Sequence, residues 1–191
     1  GKLLNRAEAL NLVGAQGDEE QALLATAAQL RDGYKGRIVT FSPKVFVPLT
    51  NLCRDFCGYC TFRKAPDEAG AKTLTLEEVL RVVQQGKLLG CTEVLFSLGD
   101  KPEAIYPEMK SFLNERGHQR TLDYLYEACR VVLEETGLLP HSNPGVMGQG
   151  DLQRLRDVNP SMGLMLESVS ERLLIAGGAH EDAPDKKPAV R

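Results

Sequence analysis

The chain has 191 residues, 42% of them hydrophobic and 26% charged, which suits one domain with a sizeable core and falls short of two comfortable ones. The formal net charge is −3, and Lys and Arg are scattered rather than striped, so no nucleic-acid partner is suggested. No apolar run approaches membrane-spanning length and the N-terminus lacks a signal-peptide core, so no membrane partner is expected and the cytoplasm, where thiols stay reduced, is the expected location.

In chain order, Leu3, Leu4, Ala7 and Leu10, then Leu23, Leu24, Ala27 and Leu30, recur at helical spacing and predict two amphipathic helices, an N-terminal extension over residues 1–35. Arg37–Phe41 is strand-like, and Ser42-Pro43 separates it from a better strand candidate, Lys44–Leu49. Thr75 with Glu78 forms a capping box ahead of a helix reaching about Leu89, with Leu76, Val79, Leu80 and Val83 on one face and Gly90 as its stop. Glu93–Leu98 reads as a buried strand followed by the turn Gly99-Asp100-Lys101-Pro102. Helices are expected over Pro107–Glu115, Thr121–Thr136 and Gly150–Val158, and strands over Leu138–His141 and Ser161–Glu167. Within the helix from Thr121, Cys129 and Tyr126 fall on the core stripe and Tyr124 on the surface, while His118 and His180 sit in polar stretches expected to be exposed. The strand-helix alternation implies parallel strands joined by crossovers, in either an open doubly wound sheet or a barrel. The start at Gly1 and the polar, Pro-containing end, Ala183 to Arg191, read as a segment of a longer protein.

The most informative stretch is Cys53-Arg54-Asp55-Phe56-Cys57-Gly58-Tyr59-Cys60, directly after the strand at Lys44–Leu49. Three thiols on so short a loop can wrap one metal cluster, and an iron-sulfur cubane held by three of its usual four thiolates keeps one iron open for chemistry. Zinc is the competing ligand, but it favours four tetrahedral donors and Cys91 and Cys129 stand alone. A disulfide would leave an odd thiol and needs an oxidising compartment. Further polar residues fall just after the later strands: Ser97, Gly99, Asp100, Lys101 and Glu103, then His141, Ser142 and Asn143, then Glu167 and Ser168. In parallel βα units these ends face one rim. The bland alternatives are a turn and a solvated ion pair at Gly99-Asp100-Lys101, and a hydrogen-bonded loop histidine at His141.

The Cys-x3-Cys-x2-Cys pattern, with Tyr59 before its last cysteine, resembles the signature of the radical S-adenosylmethionine (SAM) enzymes. That resemblance implies a partial (βα) barrel of the TIM-barrel type, truncated here after about four strands over residues 36–191, with an exposed sheet edge where a fifth strand belongs. It implies one 4Fe-4S cluster on Cys53, Cys57 and Cys60 and exchangeable SAM contacted by Tyr59, Ser97, Gly99, Asp100, Asn143 and Glu167. Glu167 and His141 are the candidate catalytic residues. The segments Pro48–Arg63, Phe96–Glu103, His141–Gly145 and Met162–Ser168 resemble more narrowly the cyclising component of the FO synthase family. This implies radical oxidation and cyclisation of a 4-hydroxybenzyl/5-amino-6-ribitylaminouracil adduct to the deazaflavin FO (7,8-didemethyl-8-hydroxy-5-deazariboflavin). Ammonia, methionine and 5'-deoxyadenosine leave. The partners implied are a second FO synthase component or fused domain and an external electron donor. The family continues beyond the strands present here, so the isolated segment is expected to hold a cluster poorly and turn over little. Other radical SAM reactions (the partner synthase step, a biotin-synthase-like or menaquinone-pathway enzyme) and a non-catalytic metal-binding module remain the alternatives.

Overall fold

A computed structural model describes residues 3–191. The chain divides into two compact units, one ending at Phe41 and the other spanning Ser42–Arg191. In the first, α1 (Arg6–Val13) opens on a capping box in which the Asn5 side chain accepts from Glu8 N–H at 2.9 Å and Glu8 accepts from Asn5 N–H at 2.8 Å. Helix α2 (Asp18–Lys35) carries Asp18, Glu19 and Glu20 in its first turn and Lys35 in its last, charges that complement the helix dipole. Neither helix buries a residue. The strand expected at Arg37–Phe41 does not form: Ile38, Val39 and Phe41 are exposed and no described residue pairs with them. Strand propensity without a neighbour to complete the ladder does not hold extended structure.

The second unit is a single parallel sheet in the order β1 (Lys44–Thr50), β2 (Glu93–Leu98), β3 (Leu139–Asn143), β4 (Ser161–Met162). Helices α3 (Leu76–Leu88), α4 (Pro107–Asn114), α5 (Thr121–Thr136) and α6 (Gln149–Arg156) occupy the connections. This is an α/β fold with an unclosed sheet, a partial βα barrel whose β1 and β4 are both edges. The predicted Thr75/Glu78 capping box starts α3, and Gly90, at φ +83°, reverses the chain after it. Gly86 lets α3 lie on β1, because a Cβ there would stand 2.5 Å from that of Val45. Val47, Leu49, Val94, Phe96, Val79, Val83, Leu125 and Val132 form the fully buried centre.

Two expectations change on this side of the molecule. Tyr124 is fully buried, not a surface residue, with its hydroxyl donating to the Leu74 carbonyl at 2.7 Å and its ring edge-on to Phe112. A partner for its one polar atom makes that burial affordable. The fourth strand is two residues long rather than the seven of Ser161–Glu167, because β3, its one neighbour, ends at Asn143; Gly163 N–H still bonds Ser142 O at 2.9 Å, and then the ladder runs out. Leu164, Met165, Leu166 and Val169 are consequently exposed. Among the described residues no helix is long and apolar enough to cross a membrane.

Candidate functional site

The cysteine loop leaves β1 where its pairing with β2 slips between Pro48 and Thr50. Asn51 pins the base of the loop: its side-chain nitrogen donates to Gly70 O at 2.8 Å and its oxygen accepts from Lys72 N–H at 2.7 Å. From the other side comes the turn after β2. Gly99 N–H bonds Thr50 O at 2.9 Å and Arg54 N–H bonds Asp100 O at 3.0 Å. The approach is so close that a Cβ on Gly99 would lie 1.9 Å from the Leu52 oxygen and 2.7 Å from Cys53 Cβ. Gly99 therefore has a packing reason to be glycine, in addition to any ligand contact.

Backbone N–H groups point at two of the three sulfurs. Asp100 N–H and Asp55 N–H reach Cys53 Sγ at 3.1 and 3.4 Å, and Arg63 N–H reaches Cys60 Sγ at 3.3 Å. Such donors stabilise negative charge on sulfur. Burial nevertheless pushes the Cys53 thiol up to about 11, against those two N–H bonds, and raises Cys57 as well. A metal would have to displace these protons, as thiolate ligation ordinarily requires.

The three thiols share one cavity of about 230 Å³ with Asp55, Tyr59, Ser97, Gly99, Asp100, Asn143, Glu167, Lys186 and Arg191, among others. Every residue expected to touch SAM is in this lining, and so is Glu167. His141 is not. It pairs across the sheet with Leu95 and Ser161, and its Nδ1 lies 2.5 Å from Ser161 Oγ. Glu167 sits in the loop beyond β4, at φ +67°, a left-handed conformation unusual for a side-chain-bearing residue, and accepts from Lys186 Nζ at 2.7 Å. That hydrogen bond holds its carboxyl below the ordinary range.

The structure ties Arg54, Asp100 and Lys101 to Asp185, and Arg63 to Tyr106, partners that sequence patterns did not single out. Arg54 Nε donates to Asp100 at 2.8 Å and Nη2 donates to Asp185, while Lys101 Nζ lies 3.2 Å from Asp100 and 3.1 Å from Asp185. Burial pushes the Asp100 carboxyl up to about 7, reinforced by Asp185 and opposed by Lys101 and Arg54. Burial also pushes Asp185 up, but its bonds to Asp100, Lys101 and Arg54 outweigh this and leave it below the ordinary carboxylate range. Arg63 stacks 3.5 Å over the Phe56 ring and donates to Tyr106 at 2.8 Å, beside Cys60. His180, expected in an exposed stretch, is 2% exposed and hydrogen-bonds Tyr59 at 3.0 Å. Its polar neighbours in sequence gave no hint, because the burial comes from docking against the cysteine loop. His118 is likewise partly buried, against Glu127 at 2.6 Å.

The donor set can be tested against a metal group on spacing alone. Tetrahedral zinc with Zn–S bonds of about 2.3 Å brings its sulfurs to about 3.8 Å of one another. Among the described residues, the one triad of possible ligand atoms lying mutually within 4.8 Å is Asp55, Asp100 and Asp185, of which Asp100 and Asp185 pair with Arg54 and Lys101 and Asp55 accepts from the Asp185 N–H; the three cysteines do not form such a triad. Three thiols, spread beyond the reach of a single small ion and supplied with N–H donors, fit a multi-iron cluster.

Parallel strands whose carboxyl ends share a cavity with a three-thiol loop define a βα enzyme core with its chemistry on one rim. The chain belongs to the radical SAM superfamily, whose profile matches residues 47–185. Membership implies SAM and a 4Fe-4S cluster. The chain is 49% identical over 202 residues to a protein named FO synthase from Nocardia farcinica, covering all of this chain and 23% of that protein. It is 49% identical over 154 residues to the 7,8-didemethyl-8-hydroxy-5-deazariboflavin synthase of Methanopyrus kandleri, covering 81% of this chain and 46% of that one. It thus spans about a quarter to a half of these relatives. Solved structures share the fold: the FeFe-hydrogenase maturase HydG from Carboxydothermus hydrogenoformans (TM-score 0.74, 22% identity, 98% of this chain and 40% of that one) and methylornithine synthase (TM-score 0.68, 22% identity, 91% and 47%).

Proposed function

We propose that this chain supplies the cluster-binding part of an enzyme forming the deazaflavin FO, by radical oxidation and cyclisation of the hydroxybenzyl-ribitylaminouracil adduct with loss of ammonia. The observation that carries the reading is the single cavity lined by Cys53, Cys57 and Cys60 together with the strand-end residues Ser97, Gly99, Asp100, Asn143 and Glu167. Relatives at 49% identity named for FO synthesis support the choice of product.

When bound, the cluster supplies the electron that splits SAM into methionine and a 5'-deoxyadenosyl radical. The protein's part is to hold and to exclude. Cys53, Cys57 and Cys60 are the proposed ligands. Ser97, Gly99, Asp100 and Asn143 offer polar and backbone groups to the amino-acid end of SAM, and Tyr59 offers its ring at the cavity mouth. Glu167 is poised for hydrogen bonding to SAM, kept ionised by Lys186. His141, outside the lining, takes no step in this proposal. An electron donor and the remaining part of the longer polypeptide, or a partner component, complete the system, and the isolated segment is proposed to be inactive.

The test is anaerobic reconstitution of the full-length protein with iron and sulfide, followed by reductant, SAM and the adduct. Fluorescent FO and 5'-deoxyadenosine are expected. A protein that takes up iron and cleaves SAM but makes no FO from the adduct refutes the assigned product; one that takes up zinc alone refutes the radical reading.

A further inference from the structure

The loop between Cys53 and Cys60 has no regular structure of its own, so something must satisfy its backbone and fix its shape. Much of that support comes from residues more than a hundred positions later. Phe56 N–H donates to Asp182 O and Gly58 N–H to Ala179 O, each at 2.8 Å, and Phe56 and Asp182 form an isolated antiparallel bridge. Asp185 accepts from Arg54 Nη2, lies 3.1 Å from Lys101 Nζ, and gives its own N–H to Asp55 at 3.3 Å. His180 meets the Tyr59 hydroxyl at 3.0 Å with the rings edge to face at 5.5 Å. Contacts thus fall on Arg54, Asp55, Phe56, Gly58 and Tyr59, the spacers between the thiols.

The supporting segment is itself held. His180, Ala183 and Asp185 are 2%, 1% and 3% exposed. His180 N–H bonds Leu173 O at 2.8 Å, and a Cβ on Gly178 would lie 2.4 Å from that same oxygen, so the segment folds tightly on the turn at Glu171–Leu173. A buried residue beside its anchor is not a free tail.

We propose that Ala179–Asp185 is a strap that sets the shape of the cysteine loop, with Asp185 and His180 as its positioning residues. Asp185 acts through Arg54, which also holds the Asp100 turn whose N–H points at Cys53. His180 acts through Tyr59 at the mouth of the cavity. The part of this inference that concerns SAM rests on the function proposed above; the part that concerns loop shape does not.

The experiment uses the full-length protein, with D185N and H180F variants beside the parent. Metal-free samples are alkylated, and the rate at each cysteine is read by mass spectrometry, with fully buried Cys129 reporting global opening. Both variants are expected to speed modification of Cys53 and Cys57 on the order of tenfold while Cys129 stays protected, as for a local rather than global opening. After iron and sulfide reconstitution, H180F is expected to raise the SAM concentration for half-maximal deoxyadenosine formation about tenfold with the maximal rate within about twofold, a split that a merely unstable protein does not show. Parental alkylation rates at Cys53 and Cys57 in both variants would overturn the strap. If D185N opens Cys129 as well, H180F alone decides by the same criterion. A parent that takes up no iron, with the variant alkylation pattern intact, sinks the function proposed above and leaves the strap standing.

Discussion

Replacing Gly99 by alanine tests the geometry that joins the β2 turn to the cysteine loop. The added methyl would sit 1.9 Å from the Leu52 oxygen, 2.6 Å from its carbon and 2.7 Å from Cys53 Cβ, and real Cβ contacts below 3.0 Å essentially do not occur. Two stretches of backbone must therefore part by about 1 Å, and neither is a flexible side-chain tip. Overpacking of this kind costs roughly 1–3 kcal/mol. The displacement also strains three hydrogen bonds that cross the same seam, Gly99 N–H to Thr50 O, Arg54 N–H to Asp100 O, and Asp100 N–H to Cys53 Sγ, each worth about 1 kcal/mol. With those bonds lengthened rather than broken, about half their worth is lost, and a total of roughly 3–4 kcal/mol leaves a domain of ordinary stability folded.

The damage is thus expected to be local. In the full-length protein G99A should lower the unfolding free energy read from urea melts by that amount and reduce iron bound per chain after reconstitution at least severalfold. The matched control is G150A in α6, where a Cβ meets nothing within 4 Å; there alanine should be neutral or stabilising by up to about 1 kcal/mol, with parental iron content. G99A with parental stability and iron content would refute the close-approach argument.

Cys129 is buried at 3.3 Å from Ser142 Oγ and 3.6 Å from Asn159 Oδ1, so C129A should cost about 1–2 kcal/mol in denaturant melts yet keep full iron content, whereas C53A, C57A and C60A should each lose iron. For Asp123, burial pushes its pKa up but hydrogen bonds from Arg120 and Arg154 outweigh it and leave the folded value depressed. Its stabilisation is therefore full above the unfolded pKa of 3.8 and lost as pH falls through the lowered folded value. D123N should remove about 1 kcal/mol at neutral pH and flatten the acid limb of stability against pH; an unchanged acid limb contradicts the pairing. T75A removes the capping side chain of α3 and should cost about 1 kcal/mol without altering iron content, measured by melting and metal analysis.

Much of the sheet was legible because its signals are local. The Thr75/Glu78 box, Gly90 and Gly137 at positive φ, and the apolar stripe of α5 each state their own boundaries within a few residues. The misreadings share a cause. Arg37–Phe41 has strand-forming residues, and Ser161–Glu167 reads as a full strand, but a strand's length is decided by the neighbour that completes its ladder. Tyr124 was placed outside by helical phase, and the Leu74 carbonyl that allows its hydroxyl inside lies 50 residues away.

The same distinction separates the cavity's legible half from the rest. Cysteine spacing, and the clustering of Ser97, Gly99, Asp100, Asn143 and Glu167 after strand ends, follow from short-range pattern plus the rule that parallel strands share a rim. Asp185 and His180 meet Arg54 and Tyr59 across 131 and 121 residues, through a segment whose composition reads as a solvated tail. The segment docks by giving the cysteine loop partners that the loop cannot supply itself: the Phe56 and Gly58 N–H groups, Arg54 and the buried Asp55 all bond to it. A loop of that kind, read from sequence, signals that some distant stretch must close over it, and charge complementarity to Arg54 asks for an acidic residue there, which Asp185 supplies.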